Sequence, residues 1–200
     1  MKRLNLNSDK THFIGCWDIE NVNLCTNIIK FFEENKELQI SGITGTGISD
    51  SNVKKTTDIP INPHDLKKPK FKILKNYVNE LHKCFLDYQN QWPFLKKIFK
   101  SVNVPGFNIQ KYSKGDHFAY LHCERSSLNS LHRLFAWMTY LNDVDEGGLT
   151  NFTHYKIKVK PKTCKTLIWP AEWTHAHTGQ ILKSGTKYIV TGWMHFPNSM

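Results

Sequence analysis

Phe118-Ala119-Tyr120-Leu121-His122-Cys123-Glu124 reads as a β-strand. Side chains alternate along a strand, so His122 and Glu124 would share one face with Cys123 turned to the other. An imidazole and a carboxylate placed this way can share one metal ion, but they do not complete a site. Trp173-Thr174-His175-Ala176-His177-Thr178-Gly179 offers a third donor. His175 and His177 have the same strand parity, so periodicity does not choose between them.

Outward from this stretch the texture stays β-like. From Pro105 onward, short alternating segments are broken by Gly and Pro: 107–112, 118–124, 131–141, 157–159, 166–169 and 187–196 all read as strands. No helical pattern interrupts them, which disfavours parallel βαβ units. A mostly β fold with some α, a double-stranded β-helix (jelly roll) braced by N-terminal helices, is the economical architecture. In the first hundred residues, 13–19 reads as a strand. Asn21 and Asn23 are candidate caps for a helix with Leu24, Ile28, Phe31 and Phe32 on its apolar face. Pro69 opens a longer amphipathic helix running to about Gln91, with Phe71, Leu74, Val78, Leu81, Phe85 and Tyr88 inward; Pro93 ends it, and 94–99 adds a turn or two. The polar run 54–68, with Pro60 and Pro63, is expected to be irregular and to face a substrate. Gly42 to Ile48 contains GxG without the rest of a dinucleotide fingerprint, and is expected to be a loop or strand edge.

Composition narrows the class. Two hundred residues suffice for one domain with a real core. The opening residues lack the apolar run of a signal peptide and no stretch is long enough to span a bilayer, so a cytoplasmic protein without membrane contact is expected. Five scattered cysteines with no CxxC pair argue for reduced thiols, not a disulfide framework. The formal charge of +10, from 27 Lys and Arg against 17 Asp and Glu, is clustered at 54–75, 96–100 and 156–165. It favours anionic partners, but without aromatic interleaving it does not by itself make a nucleic-acid binder.

Two histidines and one carboxylate with the remaining positions open suit a non-haem Fe(II) oxygenase. Lys187, set among β-formers in Gly185-Thr186-Lys187-Tyr188-Ile189-Val190-Thr191-Gly192-Trp193, would need an anionic partner if buried, and a substrate carboxylate would serve.

The block 112–196 resembles the catalytic domain of the Fe(II)- and 2-oxoglutarate-dependent dioxygenases, in particular the prolyl 4-hydroxylase-like group. The pieces occur in the family's order: Tyr112-x-x-Gly115, His122-x-Glu124, Arg133, Tyr140-Leu141-Asn142-Asp143, Gly147-Gly148-Leu149-Thr150-Asn151-Phe152, Pro161, Trp169-Pro170, His177 and Lys187. The family places its 2-oxoglutarate lysine ten residues after the distal histidine, which selects His177 over His175. The resemblance therefore implies that His122, Glu124 and His177 bind Fe(II). It implies that Lys187, helped by Tyr140, pairs with the distal carboxylate of 2-oxoglutarate, that Tyr112 bonds to this cosubstrate near the metal, and that Trp193 forms a pocket wall. O2 is the other cosubstrate and ascorbate a candidate reductant. The implied activity is hydroxylation of a C–H bond in a protein, peptide or amino acid, with release of succinate and CO2. The alternatives are a non-catalytic jelly-roll binding module and an oxygenase acting on nucleic acid. The whole chain would then be one oxygenase domain, 1–104 a helix-rich support and 105–200 the jelly-roll core. Three positions depart from the family pattern: Glu124 where Asp is usual, Leu149 where Glu is common, and Cys164 where a turn glycine is common.

Overall fold

A computed structural model of the chain describes residues 1–7, 11–43 and 50–197. In chain order the elements are β1 (Lys2–Arg3), β2 (Gly15–Asp18), α1 (Val22–Glu34), β3 (Ile40–Ser41), β4 (Thr57–Ile61), α2 (Lys72–Gln91), α3 (Leu95–Ile98), β5 (Phe107–Tyr112), β6 (Phe118–His122), β7 (Arg133–Tyr140), β8 (Thr150–Phe152), β9 (Ile157–Val159), β10 (Lys165–Pro170), β11 (His177–Gly179) and β12 (Lys187–His195). They form an eight-stranded sheet, ordered β1-β2-β10-β7-β12-β5-β4-β3, and a four-stranded sheet, ordered β6-β11-β8-β9. The paired strands run antiparallel throughout. This is the jelly roll that strand following strand predicted.

Strand alternation divides the core into two layers. On β7, Phe135 and Trp137 join Ile28 and Phe32 of α1 and Leu74, Tyr77, Leu81 and Phe85 of α2. The intervening Ala136, Met138 and Tyr140 point the other way, to meet Phe152, Ile157, Val159 and Trp169 between the sheets. A sheet covered on both faces explains why β7 is apolar along nearly its whole length. Asn21 caps α1, its Oδ1 accepting from the Leu24 N–H at 3.1 Å. Pro69 begins a single 3-10 turn, Pro69–Phe71, that leads into α2.

Several boundaries differ from the sequence expectation. The run 54–68 is not irregular throughout, because β4 lies inside it and pairs with β5 from Thr57↔Lys111 to Ile61↔Phe107. Ile59 and Ile61 join the helix-side core while Asp58 faces away from it, an alternation hidden by the two prolines. Pro60 is tolerated because β3 pairs only with Thr57 and Asp58, leaving β4 an open outer edge where a missing N–H costs no ladder bond. β8 and β11, three residues each, were too short to show a period. The four N-terminal strands extend the major sheet at both edges, so the first hundred residues contribute more than helices. Of the GxG run, Thr44 to Ile48 lies outside the described residues. Cys164 adopts φ 69°, the left-handed conformation a turn glycine would take at lower cost. All five cysteines are free. Among the described residues, no helix is long and apolar enough to cross a membrane.

Candidate active site

β6 stops at His122, two residues before Glu124, so strand alternation does not reach the carboxylate. Glu124 instead comes from a bend pinned to the sheet, where the main-chain N–H groups of Glu124 and Arg125 both donate to the Ala171 carbonyl, at 3.2 and 2.9 Å. The shared direction of His122 and Glu124 is therefore set by that anchor, not by a strand. The third donor arrives by register: β11 pairs with β6 so that His177 lies opposite His122, and the two rings are 4.4 Å apart. His177 Nε2 is 3.4 Å from Glu124 Oε1, and His122 Nε2 is 3.8 Å from the same oxygen. One ligand atom from each of the three lies within 4.8 Å of the others. His175 belongs to a 3-10 turn, Trp173–His175, and its Nε2 turns away to the His12 carbonyl at 2.8 Å. The equal parity of the two histidines was thus an artefact of assuming a continuous strand.

The tautomers are preset for a cation. His122 Nδ1 lies 2.8 Å from the Tyr120 carbonyl and His177 Nδ1 lies 2.9 Å from the His175 carbonyl. A carbonyl only accepts, so each Nδ1 carries the proton and each Nε2 presents a lone pair toward Glu124. Burial, followed by the neighbouring His177, lowers the His122 pKa to about 4. For Glu124, burial works upward, but in the absence of a cation a proton shared with His177, the charge that His177 and His122 carry when protonated, and the Trp193 N–H outweigh it and hold the carboxyl at about 2; a cation at the three donors would take that proton's place. Two neutral imidazoles and an ionised carboxylate are the donor set a divalent iron takes, and the residues fit that ion.

These three side chains line a cavity of about 890 Å³ together with Lys187, Tyr112 and Trp193. Alternation on β12 puts Lys187, Ile189, Thr191 and Trp193 on the inner face, and Lys187 pairs directly with Tyr112 of β5. Lys187 is 2% exposed, donates to the Gly148 carbonyl at 3.2 Å and stands 3.9 Å over the Tyr112 ring. Gly148 has φ 64° and a Cβ there would come within 3.3 Å of the Lys187 side chain, so glycine lets its carbonyl approach the ammonium. No carboxylate of the described residues pairs with this lysine, and burial pushes it down to about 7. Tyr140 stands behind Thr150: its hydroxyl donates to Thr150 Oγ1 at 2.6 Å, and Thr150 is the one that lines the cavity. Trp193 is more than a wall, since its Nε1–H donates to Glu124 Oε2 at 2.6 Å.

A second set of lining residues escaped the sequence reading. Lys54 and Asp58 form a buried ion pair at 2.6 Å, and Asp58 also accepts from Thr56 and from Gln110 Nε2. That bond fixes the Gln110 amide so that its Oε1 receives the Tyr112 hydroxyl at 3.0 Å. Gln110 was findable, two residues before Tyr112 on the same strand face. Asp58 was not, because its strand had been read as a loop.

Residues 107–195 match the family model described as the 2OG-Fe(II) oxygenase superfamily. No curated protein matches the chain significantly. Among solved structures, the viral collagen prolyl hydroxylase of Paramecium bursaria Chlorella virus-1, in complex with 2-oxoglutarate, superposes with a TM-score of 0.67 at 19% identity, over 92% of this chain and 97% of that one. A Pseudomonas putida prolyl-4-hydroxylase gives 0.69 at 14% identity, over 94% and 95%. A Trichoplax adhaerens prolyl hydroxylase bound to a hypoxia-inducible-factor peptide gives 0.72 at 12% identity, over 93% and 84%. At these identities the neighbours show the fold alone, and the family match is confined to residues 107–195. Residues 107–195 thus match a 2OG-Fe(II) oxygenase model, the chain shares its fold with prolyl hydroxylases, and the three donors present are the set that Fe(II) takes.

Proposed function

We propose that the protein hydroxylates a C–H bond of a protein, peptide or amino-acid substrate, a prolyl side chain being the first choice, while converting 2-oxoglutarate to succinate and CO2. The observation that carries this reading is one cavity holding both a preset two-histidine, one-carboxylate donor set and a buried lysine that no carboxylate of the described residues pairs with. In this reading His122, Glu124 and His177 hold the iron, which when bound supplies the activation of O2 that is coupled to loss of CO2 from 2-oxoglutarate. Lys187 takes the distal carboxylate of the cosubstrate, an ion pair strengthened by its dry surroundings. Tyr112 turns its hydroxyl from Gln110 to the cosubstrate, and Tyr140 acts through Thr150. The likeness of the fold to prolyl hydroxylases supports the choice of a prolyl side chain. The chain is read as a single oxygenase domain, 1–104 supporting 105–200, with β4 of the support also furnishing cavity wall.

Purified protein supplied with ferrous iron and 2-oxoglutarate is to be screened against proline-containing peptides, free amino acids and oligonucleotides. Succinate release stimulated by a peptide or amino acid, with a one-oxygen mass gain in that molecule, is the expected result. Stimulation by oligonucleotides alone would move the substrate to nucleic acid. No succinate under any condition would leave a binding module.

A further inference from the structure

Glutamate in place of the usual aspartate raises a problem that the cavity answers. A glutamate side chain has one more rotatable bond, and a carboxylate can offer a cation one oxygen or both. Chelation through both oxygens would occupy a position that O2 or 2-oxoglutarate needs. Here the two oxygens of Glu124 face different partners. Oε1 faces the histidine Nε2 atoms, while Oε2 accepts the Trp193 Nε1–H at 2.6 Å. Indole N–H is a donor only; it neither ligates a metal nor gains a proton, so it can hold Oε2 without competing for the ion.

The indole is itself held. The Arg133 guanidinium lies 3.8 Å from the Trp193 ring centroid, and its Nη1 donates to the Glu124 main-chain carbonyl at 2.8 Å. Arg133 therefore ties the indole to the backbone of the residue it bonds, and the Ala171 carbonyl fixes the other side of that peptide unit. Stacking of this kind restrains a ring that strand β12 alone would leave free to change rotamer. With the backbone pinned, the remaining freedom of Glu124 lies in its own side-chain torsions, and the Trp193 bond removes it.

We infer that Trp193, braced by Arg133, is a positioning residue that makes Glu124 a one-oxygen ligand and so keeps a coordination position open. The inference rests on the proposed iron-binding role of His122, Glu124 and His177. The test is infrared difference spectroscopy of the full chain, Co(II)-loaded minus metal-free, with Co(II) affinity measured alongside. The splitting between the two carboxylate stretches is wide for one-oxygen and narrow for two-oxygen ligation. The unsubstituted protein should show the wide splitting. Trp193→Phe, which keeps an aromatic ring but removes the N–H, should narrow it and weaken Co(II) binding roughly 10- to 100-fold. A narrow splitting in the unsubstituted protein overturns the inference, even should Trp193→Phe fail to fold. So does a Trp193→Phe protein with unchanged splitting and affinity, which would leave Trp193 a wall only. Failure of the unsubstituted protein to bind Co(II) at all would instead remove the metal-site reading beneath it.

Discussion

Raising the pH from about 7 to about 9 should weaken 2-oxoglutarate binding on the order of a hundredfold, through Lys187 alone. Burial holds this lysine at about 7, against an ordinary value of 10.5. Only the ammonium form pairs with a carboxylate, and pairing draws the pKa back up. Between those values the ligand-free site has lost a proton that the complex keeps, so binding takes up a proton and each pH unit costs about a factor of ten. The same shift governs stability with the opposite consequence. Between about 7 and 10.5 the unfolded chain binds the proton that the folded chain releases, so the ligand-free protein gains stability as pH rises. Below about 7 the burial penalty, of order 5 kcal/mol, is borne in full. The assay is titration calorimetry of 2-oxoglutarate against the Mn(II)-loaded protein near pH 8.5, in two buffers of different ionisation enthalpy. Their difference in heat counts the protons taken up, which should approach one per site. Lys187→Ala should abolish the uptake and weaken the cosubstrate more than the metal. Affinity that is flat across this range, with no proton uptake, would refute the pairing of Lys187 with the cosubstrate carboxylate.

The two histidines of the Trp173–Gly179 run should separate cleanly. His177→Ala should lower Mn(II) affinity at least roughly 100-fold, beyond what loss of a supporting residue does, while His175→Ala leaves it within a few-fold; equal losses measured by calorimetry would contradict the assignment. Asp58→Ala strands a buried Lys54 and should cost on the order of 3–5 kcal/mol in chemical denaturation, and a cost under about 1 kcal/mol would show that water reaches the pair. Asn21→Ala removes the cap of α1 and should cost about 1 kcal/mol by the same measurement, with Mn(II) affinity unchanged.

What the sequence made legible follows physical lines. β7 and β12 were readable because they are long runs of apolar, aromatic and β-branched residues, β7 apolar almost throughout. α2 was readable because its apolar residues recur over five turns. β4 was not, because Pro60 and Pro63 signal a loop and only the open sheet edge makes a strand proline harmless. The members of the donor set were named from spacing and family order, but the reason they meet lies in register: His177 opposite His122, and Glu124 tethered to Ala171. Such contacts join residues some fifty positions apart and leave no local trace. Trp193 likewise read as a wall, since no pattern along β12 reveals that its N–H ends on Glu124.

The reaction proposed for this cavity couples 2-oxoglutarate decarboxylation to hydroxylation. Its most direct test is turnover under isotopically labelled O2 with ferrous iron, 2-oxoglutarate and a proline-containing peptide that stimulates succinate release. One labelled atom should appear in succinate and one in the peptide, and neither in the His177→Ala protein. Succinate without label, or label in the peptide that persists when His177 is replaced, would contradict it.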